Sequence, residues 1–128
     1  MLINTVDLKI RIRALEILLF QNDLQEVDDW IEELESLHHE LGVFFSMEKK
    51  RLREDKFRYE LLALRRVNTL EIAGFCKYQQ GIKTQMNYSK DGYCEAWIRT
   101  HEKQRNHYKN HLRSYRGTKM DLLKNLII

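Results

Sequence analysis

The sequence predicts an all-α fold: an elongated three-helix antiparallel, coiled-coil-like bundle running up, down and up. Three observations predict it. The 128 residues contain no proline and only five glycines, whereas a β-sandwich or barrel spends many of both on its turns. The chain is rich in Leu, Glu, Lys and Arg, the composition of long uninterrupted helices. Its first third carries a heptad repeat.

That repeat defines the first helix, expected over about residues 5–41. Ile10, Ile17, Leu24, Ile31, His38 and Phe45 are spaced by seven, and Phe20, Val27, Leu34 and Leu41 form the companion series three residues later. The 3-4 spacing puts both series on one helical stripe, the seam of a coiled coil. His38 is its one polar member. Leu15, Leu18 and Leu19 make the segment 14–20 apolar on more than one side, so this turn is expected to meet two neighbours or a second chain. Asp23 and Glu26 have capping-box spacing, but the heptad runs through them in phase.

The pattern then stumbles at Glu48 and Asp55, just after Gly42, and Ser46 has the chemistry of an N-cap. A reversal is expected at 42–46. The competing arrangement has helices one and two continuous from about 5 to 86, on the order of 120 Å at the α-helical rise. The second helix is expected over about 46–86. Phe57, Leu61, Leu64, Phe75, Tyr78 and Ile82 form its face, and Leu62, Leu70 and Ala73 broaden it. Asn87-Tyr88-Ser89-Lys90-Asp91-Gly92 is the strongest turn signal in the chain. Asp91 or Ser89 is expected to cap a third helix over about 92–125, with Glu95 favourable near its positive end. Its stripe is Cys94, Ile98, His101, Arg105, Tyr108, Leu112, Tyr115, Lys119, Leu122 and Leu126. Residues 1–128 read as a single domain.

Charge is segregated. Gln21 to Leu41 holds eight acidic residues and no Lys or Arg, and Gly42 to Arg66 holds eight basic residues against four acidic. A reversal near residue 43 would set the acid run against Lys49, Lys50, Arg51, Arg53, Lys56 and Arg58, although exposed pairs are each worth under about 1 kcal/mol. Trp97 to Lys119 carries seven Lys or Arg, one Glu and three His. On the same register its neighbour is residues 6–26, mostly apolar. Arg99, Lys103, Arg105, Lys109, Arg113 and Arg116 are therefore expected to form an uncompensated basic stripe, continued by Lys119.

No catalytic constellation is found. The spacing of His107 and His111 suits two metal ligands, but Glu35 with His38 is the single Glu-x-x-His, and a carboxylate-bridged di-metal bundle needs two. These histidines are expected to be partly exposed helix residues, His38 to set register, and Cys76 and Cys94 to be reduced thiols. There is no glycine-rich phosphate loop and no Gly-x-Ser-x-Gly. No metal or cofactor is expected. The sequence contains no run of eighteen apolar residues, and Met1 to Asp7 is not basic, so no membrane association and a cytoplasmic location are expected.

The expected function is that of a non-catalytic interaction or adaptor protein. It would self-associate, as a homodimer, or dock on a partner protein through Leu15, Leu18 and Leu19 and through the apolar C-terminal residues Leu122, Leu126 and Ile127. The alternative is a nucleic-acid-binding accessory protein that uses the basic third helix.

Overall fold

A computed structural model describes residues 4–51 and 55–127. Three helices account for them: α1 over Thr5–Arg51, α2 over Asp55–Tyr88 and α3 over Glu95–Ile127. Among the described residues there are no strands. The order is up-down-up. Cross-links between α1 and α2 pair rising with falling numbers: Arg13 with Met86, Asp28 with Gln79, Leu34 with Asn68. Those between α1 and α3 rise together: Asp23 with Trp97, Glu26 with Arg105, Glu40 with Lys119. The antiparallel packing of α1 on α2 rules out one continuous helix.

The reversal expected at 42–46 does not occur there, because α1 continues to Arg51. Ser46 is no N-cap: its hydroxyl donates back to the Gly42 carbonyl at 3.2 Å, within the helix. A Cβ at Gly42 would meet nothing within 4 Å, so this glycine carries no turn. Lone glycines cost a helix only about 1 kcal/mol relative to alanine, less than a packed face returns. The first change of direction falls between Arg51 and Asp55, and residues 52–54 lie outside the described set. So do the side chains of Lys49, Lys50, Arg51, Arg53, Lys56 and Phe57, and with them most of the predicted pairing of acid run with basic run.

The companion series of the α1 heptad is the centre of the core. Phe20, Val27, Leu34 and Leu41 are all fully buried. The second buried series is Asp23, Trp30 and Leu37, one residue earlier than the expected Leu24, Ile31 and His38, which are half-buried. The reason is that α1 faces two helices. Asp23, Trp30 and Leu37 lean toward α3, where Trp30 stacks on Tyr108 and the Leu37 carbonyl accepts from Tyr115. His38 and Phe45 lean toward α2, beside Thr69 and Arg65. From α2, Leu61, Leu64, Asn68, Phe75 and Ile82 point inward. Leu62, Leu70 and Ala73, expected to broaden that face, are exposed instead.

The turn between α2 and α3 is built on Gly92, whose φ of 65° is the left-handed region. Its open side is filled by the Glu16 carboxylate, which accepts the Tyr93 backbone N–H at 3.2 Å. Neither Asp91 nor Ser89 starts the helix. α3 begins at Glu95, the first helical bond runs from the Ile98 N–H to the Cys94 carbonyl, and the Ser89 hydroxyl donates to the Gly92 carbonyl within the turn.

Two stability predictions follow from this packing. Leu34→Ala is expected to cost about 2–5 kcal/mol, as for other large-to-small core changes, whereas Leu70→Ala, at a side chain 63% exposed, should stay within about 0.5 kcal/mol. Urea denaturation of both variants checks the pair. Gly92→Ala should cost about 1–2 kcal/mol, because it adds left-handed strain and displaces the Glu16 carboxylate; the same denaturation series measures it.

Candidate interaction surfaces and the buried polar network

Chemistry-bearing side chains converge in one place, between the middle of α1 and the first half of α3. Asp23 is buried and accepts from the Tyr93 hydroxyl at 2.9 Å and the Trp97 indole N–H at 3.1 Å. His101, 2% exposed, puts Nε2 2.6 Å from Glu26 and Nδ1 2.6 Å from the Tyr78 hydroxyl. A neutral ring satisfies both contacts, with Nε2–H donating to the carboxylate and Nδ1 accepting from the phenol. Arg105 completes the set with a bidentate pair on Glu26, at 2.6 and 2.8 Å. This guanidinium is the leading reason the Glu26 carboxyl is held below its ordinary range. Burial, and then the bond to Asp23, push the Tyr93 phenol up to about 12, and burial raises Tyr78 as well.

Asp23, Glu26 and His101 present ligand atoms within 4.8 Å of one another, the geometry of a partial metal site. Their partners argue for another role. Asp23 already accepts two hydrogen bonds and Glu26 three, and both His101 nitrogens are used. A cation would have to displace Arg105 from Glu26. The cluster acts as a polar bolt that fixes α3 against α1.

A second buried polar group ties all three helices. Asn68, fully buried, donates to the Leu34 carbonyl at 2.8 Å and holds its Oδ1 2.9 Å from His111 Nε2. Burial lowers the His111 pKa from its ordinary value. His111 was expected to be partly exposed; it is buried, as is His101, because each lies on the inward side of α3 and finds a polar partner there. His107 is exposed and sits 2.7 Å from Glu71. Cys76 and Cys94 are free thiols.

The basic stripe is less free than expected. Moving the first reversal past Arg51 slides α2 along α1, so α3 lies against the acid run rather than against residues 6–26. Arg105 is taken up by Glu26 and Lys119 by Glu40. Arg99 pairs with Glu95 at 2.6 Å on the surface. Lys103, Lys109, Arg113 and Arg116 are exposed and enter none of the ion pairs among the described residues. Three of these, with Leu112, line a shallow cleft of about 310 Å³. A larger open cleft, about 670 Å³, separates Ala63, Leu64 and Val67 of α2 from His111, Ser114 and Thr118 of α3.

The apolar residues divide. Leu122 is 3% exposed and belongs to the chain's own core, so it is not available to a partner. The side chains of Leu126 and Ile127 lie outside those described. Leu15, Leu18 and Leu19 are exposed at 61, 56 and 43%. They continue into a patch that sequence reasoning placed too narrowly. Val6, Leu8, Ile10 and Ile12 are 46–62% exposed as well. The cause is a mismatch in length. α1 has 47 residues and α2 has 34, and with Arg13 beside Met86 the first two turns of α1 pass the end of α2. Regular apolar–polar alternation in Val6-Asp7-Leu8-Lys9-Ile10-Arg11-Ile12-Arg13 was the available signal, since on a helix it spreads apolar residues over two sides.

The fold defines the chain as a three-helix antiparallel bundle with an apolar overhang at one end. None of the described helices is long and apolar enough to cross a membrane. No protein-family model, curated protein or solved structure matches the chain.

Acid should unfold the bundle in two stages. His111 is neutral when folded and protonates more readily when unfolded, so stability is full above its ordinary pKa of 6.5 and falls as pH drops below it. Glu26 has a lowered folded pKa, so its contribution is lost as pH falls below its ordinary 4.5. Urea midpoints measured from pH 7.5 to 3.5 check this, and the upper stage should flatten in His111→Gln.

Proposed function

We propose that the chain is a non-catalytic helical interaction module that docks on another protein helix through the N-terminal overhang of α1. One observation carries this reading: seven aliphatic side chains between residues 6 and 19, each 43–62% exposed, on turns that pass the end of α2 or on the outer face of the turns beside it. Contiguous exposed apolar surface is costly in a free chain and marks interaction sites. The bundle behind it acts as a rigid mount. The buried Asp23, Asn68, His101 and His111 all have polar partners inside the bundle, which supports a structural role for them rather than a chemical one. An adaptor role in the cytoplasm fits a chain with two free thiols.

The basic cleft of Lys109, Arg113 and Arg116 favours a secondary contact with an acidic surface. As a nucleic-acid site it is small, because Arg105 and Lys119 are spent inside the bundle and the neighbouring aromatics Tyr108 and Tyr115 are half-buried and buried. Electrostatic steering by such a patch would raise the association rate more than the affinity.

Affinity capture from native extract, with and without nuclease, tests the reading. Leu15→Glu should remove a co-purifying protein, and nuclease treatment should not. Lys109→Glu with Arg113→Glu should slow association and leave the complex intact at low salt. Salt-steep binding to random-sequence DNA or RNA, lost in the Lys109/Arg113 variant and kept in Leu15→Glu, would reverse the assignment in favour of nucleic acid.

A further inference from the structure

We infer that the occupant of the overhang is a second copy of this chain, paired antiparallel over residues 8–19. This rests on the docking role proposed above and names the partner. Leu8, Ile12, Leu15 and Leu19, all exposed, follow one another at intervals of four, three and four, so they form a single helical stripe. The order reads the same from either end. A twofold axis near residues 13 and 14 places Leu8 against Leu19 of the second copy and Ile12 against Leu15, twice over. That self-complementarity is what an isologous interface requires.

Charge fits the same register. On this seam Lys9 and Glu16 flank the apolar layers on one side, and antiparallel pairing brings each Lys9 toward the Glu16 of the other copy, a carboxylate that also holds the Tyr93 N–H and pairs with Arg13 in its own chain. Arg11, on the other flank, lies along Leu18, where its aliphatic stem can cover the leucine.

The bundle excludes the parallel alternative. Continued up α1, the stripe becomes Asn22, Glu26, Asp29 and Glu33. Parallel copies would oppose acid to acid along that line. They would also collide with α3, which covers Glu26 through His101 and Arg105. Antiparallel copies overlap along the first turns of α1, below the stretch that α3 covers at Glu26, and carry their bundles at opposite ends.

The overlap is short, twelve residues or about 18 Å of helix. Two such faces bury on the order of 1,000 Å², the low end for a specific interface. The expected association is therefore reversible, with a dissociation constant of about 10–100 µM.

Sedimentation equilibrium of the full chain, loaded from about 5 to 500 µM, should show a monomer–dimer equilibrium. Leu15→Glu and Ile12→Glu should be monomeric with unchanged circular dichroism and melting temperature, since neither side chain contributes to the core. Leu62→Glu, on the outer face of α2, should dimerise as the parent does. Spin labels at a cysteine replacing the exposed Gln25, with Cys76 and Cys94 changed to serine, should lie about 35 Å apart in the dimer, from 23 residues of helical rise. A parallel dimer would bring them under about 20 Å. A monomer at 500 µM, a short label distance, or a dimer indifferent to Leu15→Glu would each overturn the inference. A monomer that still captures a partner through Leu15 would leave the docking role standing and remove only the second copy.

Discussion

Asn68 sets the register on which the rest depends. Its side chain, fully buried, donates to the Leu34 carbonyl of α1 and is met by His111 of α3. A buried amide in a helical seam costs stability relative to an aliphatic residue, but it penalises every register in which its hydrogen bonds are unmade. With Asn68 opposite Leu34, the end of α2 falls beside Arg13. The Gly92 turn then falls beside Glu16, and α3 falls along the acid run of α1. Slid by one heptad, the amide would face a different stretch of α1, His111 would lose its partner, and Glu26 would lose Arg105.

The third helix is held in a different manner from the first two. α1 and α2 meet through Leu, Phe, Val and Ile. α3 meets them through Trp97, His101, Tyr108, His111 and Tyr115, with Trp30 of α1 stacked between His101 and Tyr108 at 5.5 and 5.2 Å. Large rings with polar edges reach across a wider gap than aliphatic side chains, and they bring hydrogen-bonding atoms into the core with them. The polar bolt of Asp23, Glu26, His101 and Arg105 follows from that choice. Once indole, phenol and imidazole groups are buried, each needs a partner; the acidic stretch of α1 supplies those of Trp97 and His101, Asn68 that of His111 and the Leu37 carbonyl that of Tyr115.

Much of the fold was legible in the sequence, for identifiable reasons. Phe20, Val27, Leu34 and Leu41 kept strict period, so one buried line of α1 could be read directly. The Asn87–Gly92 turn was legible because glycine and asparagine cluster there with no competing apolar period. The first reversal was misplaced because Gly42 and Ser46 have turn chemistry that a long helix also tolerates, and the misplacement carried forward. It placed α3 beside residues 6–26 when Trp97 to Lys119 in fact runs along Asp23 to Glu40, and so made Arg105 and Lys119 look unpaired. Buried polar residues were the other loss. Asp23, Asn68, His101 and His111 occupy core positions, and polarity alone reads as solvent. Exposure at Leu15, Leu18 and Leu19 was anticipated from their being apolar on too many sides. The rest of the overhang depended on the difference in length between α1 and α2, which only the placed reversal reveals.

One helix face changes its chemistry at the height where α3 begins. Positions 12, 19, 26, 33 and 40 lie on one line of α1, spaced by seven. Where α3 lies alongside they are Glu26, Glu33 and Glu40, and two of these pair with its arginine and lysine. Below its start they are Ile12 and Leu19, exposed by about half. The neighbouring line runs Leu8, Leu15, Asn22 and Asp29 and switches at the same height. A helix that needed only to support α3 could carry charged residues down both lines, gaining solubility at no cost to packing. Exposed aliphatic residues on both lines below the start of α3 are instead what the docking seam proposed above would use, and the acid-to-aliphatic boundary near residue 20 would then set how far along α1 a partner helix could reach.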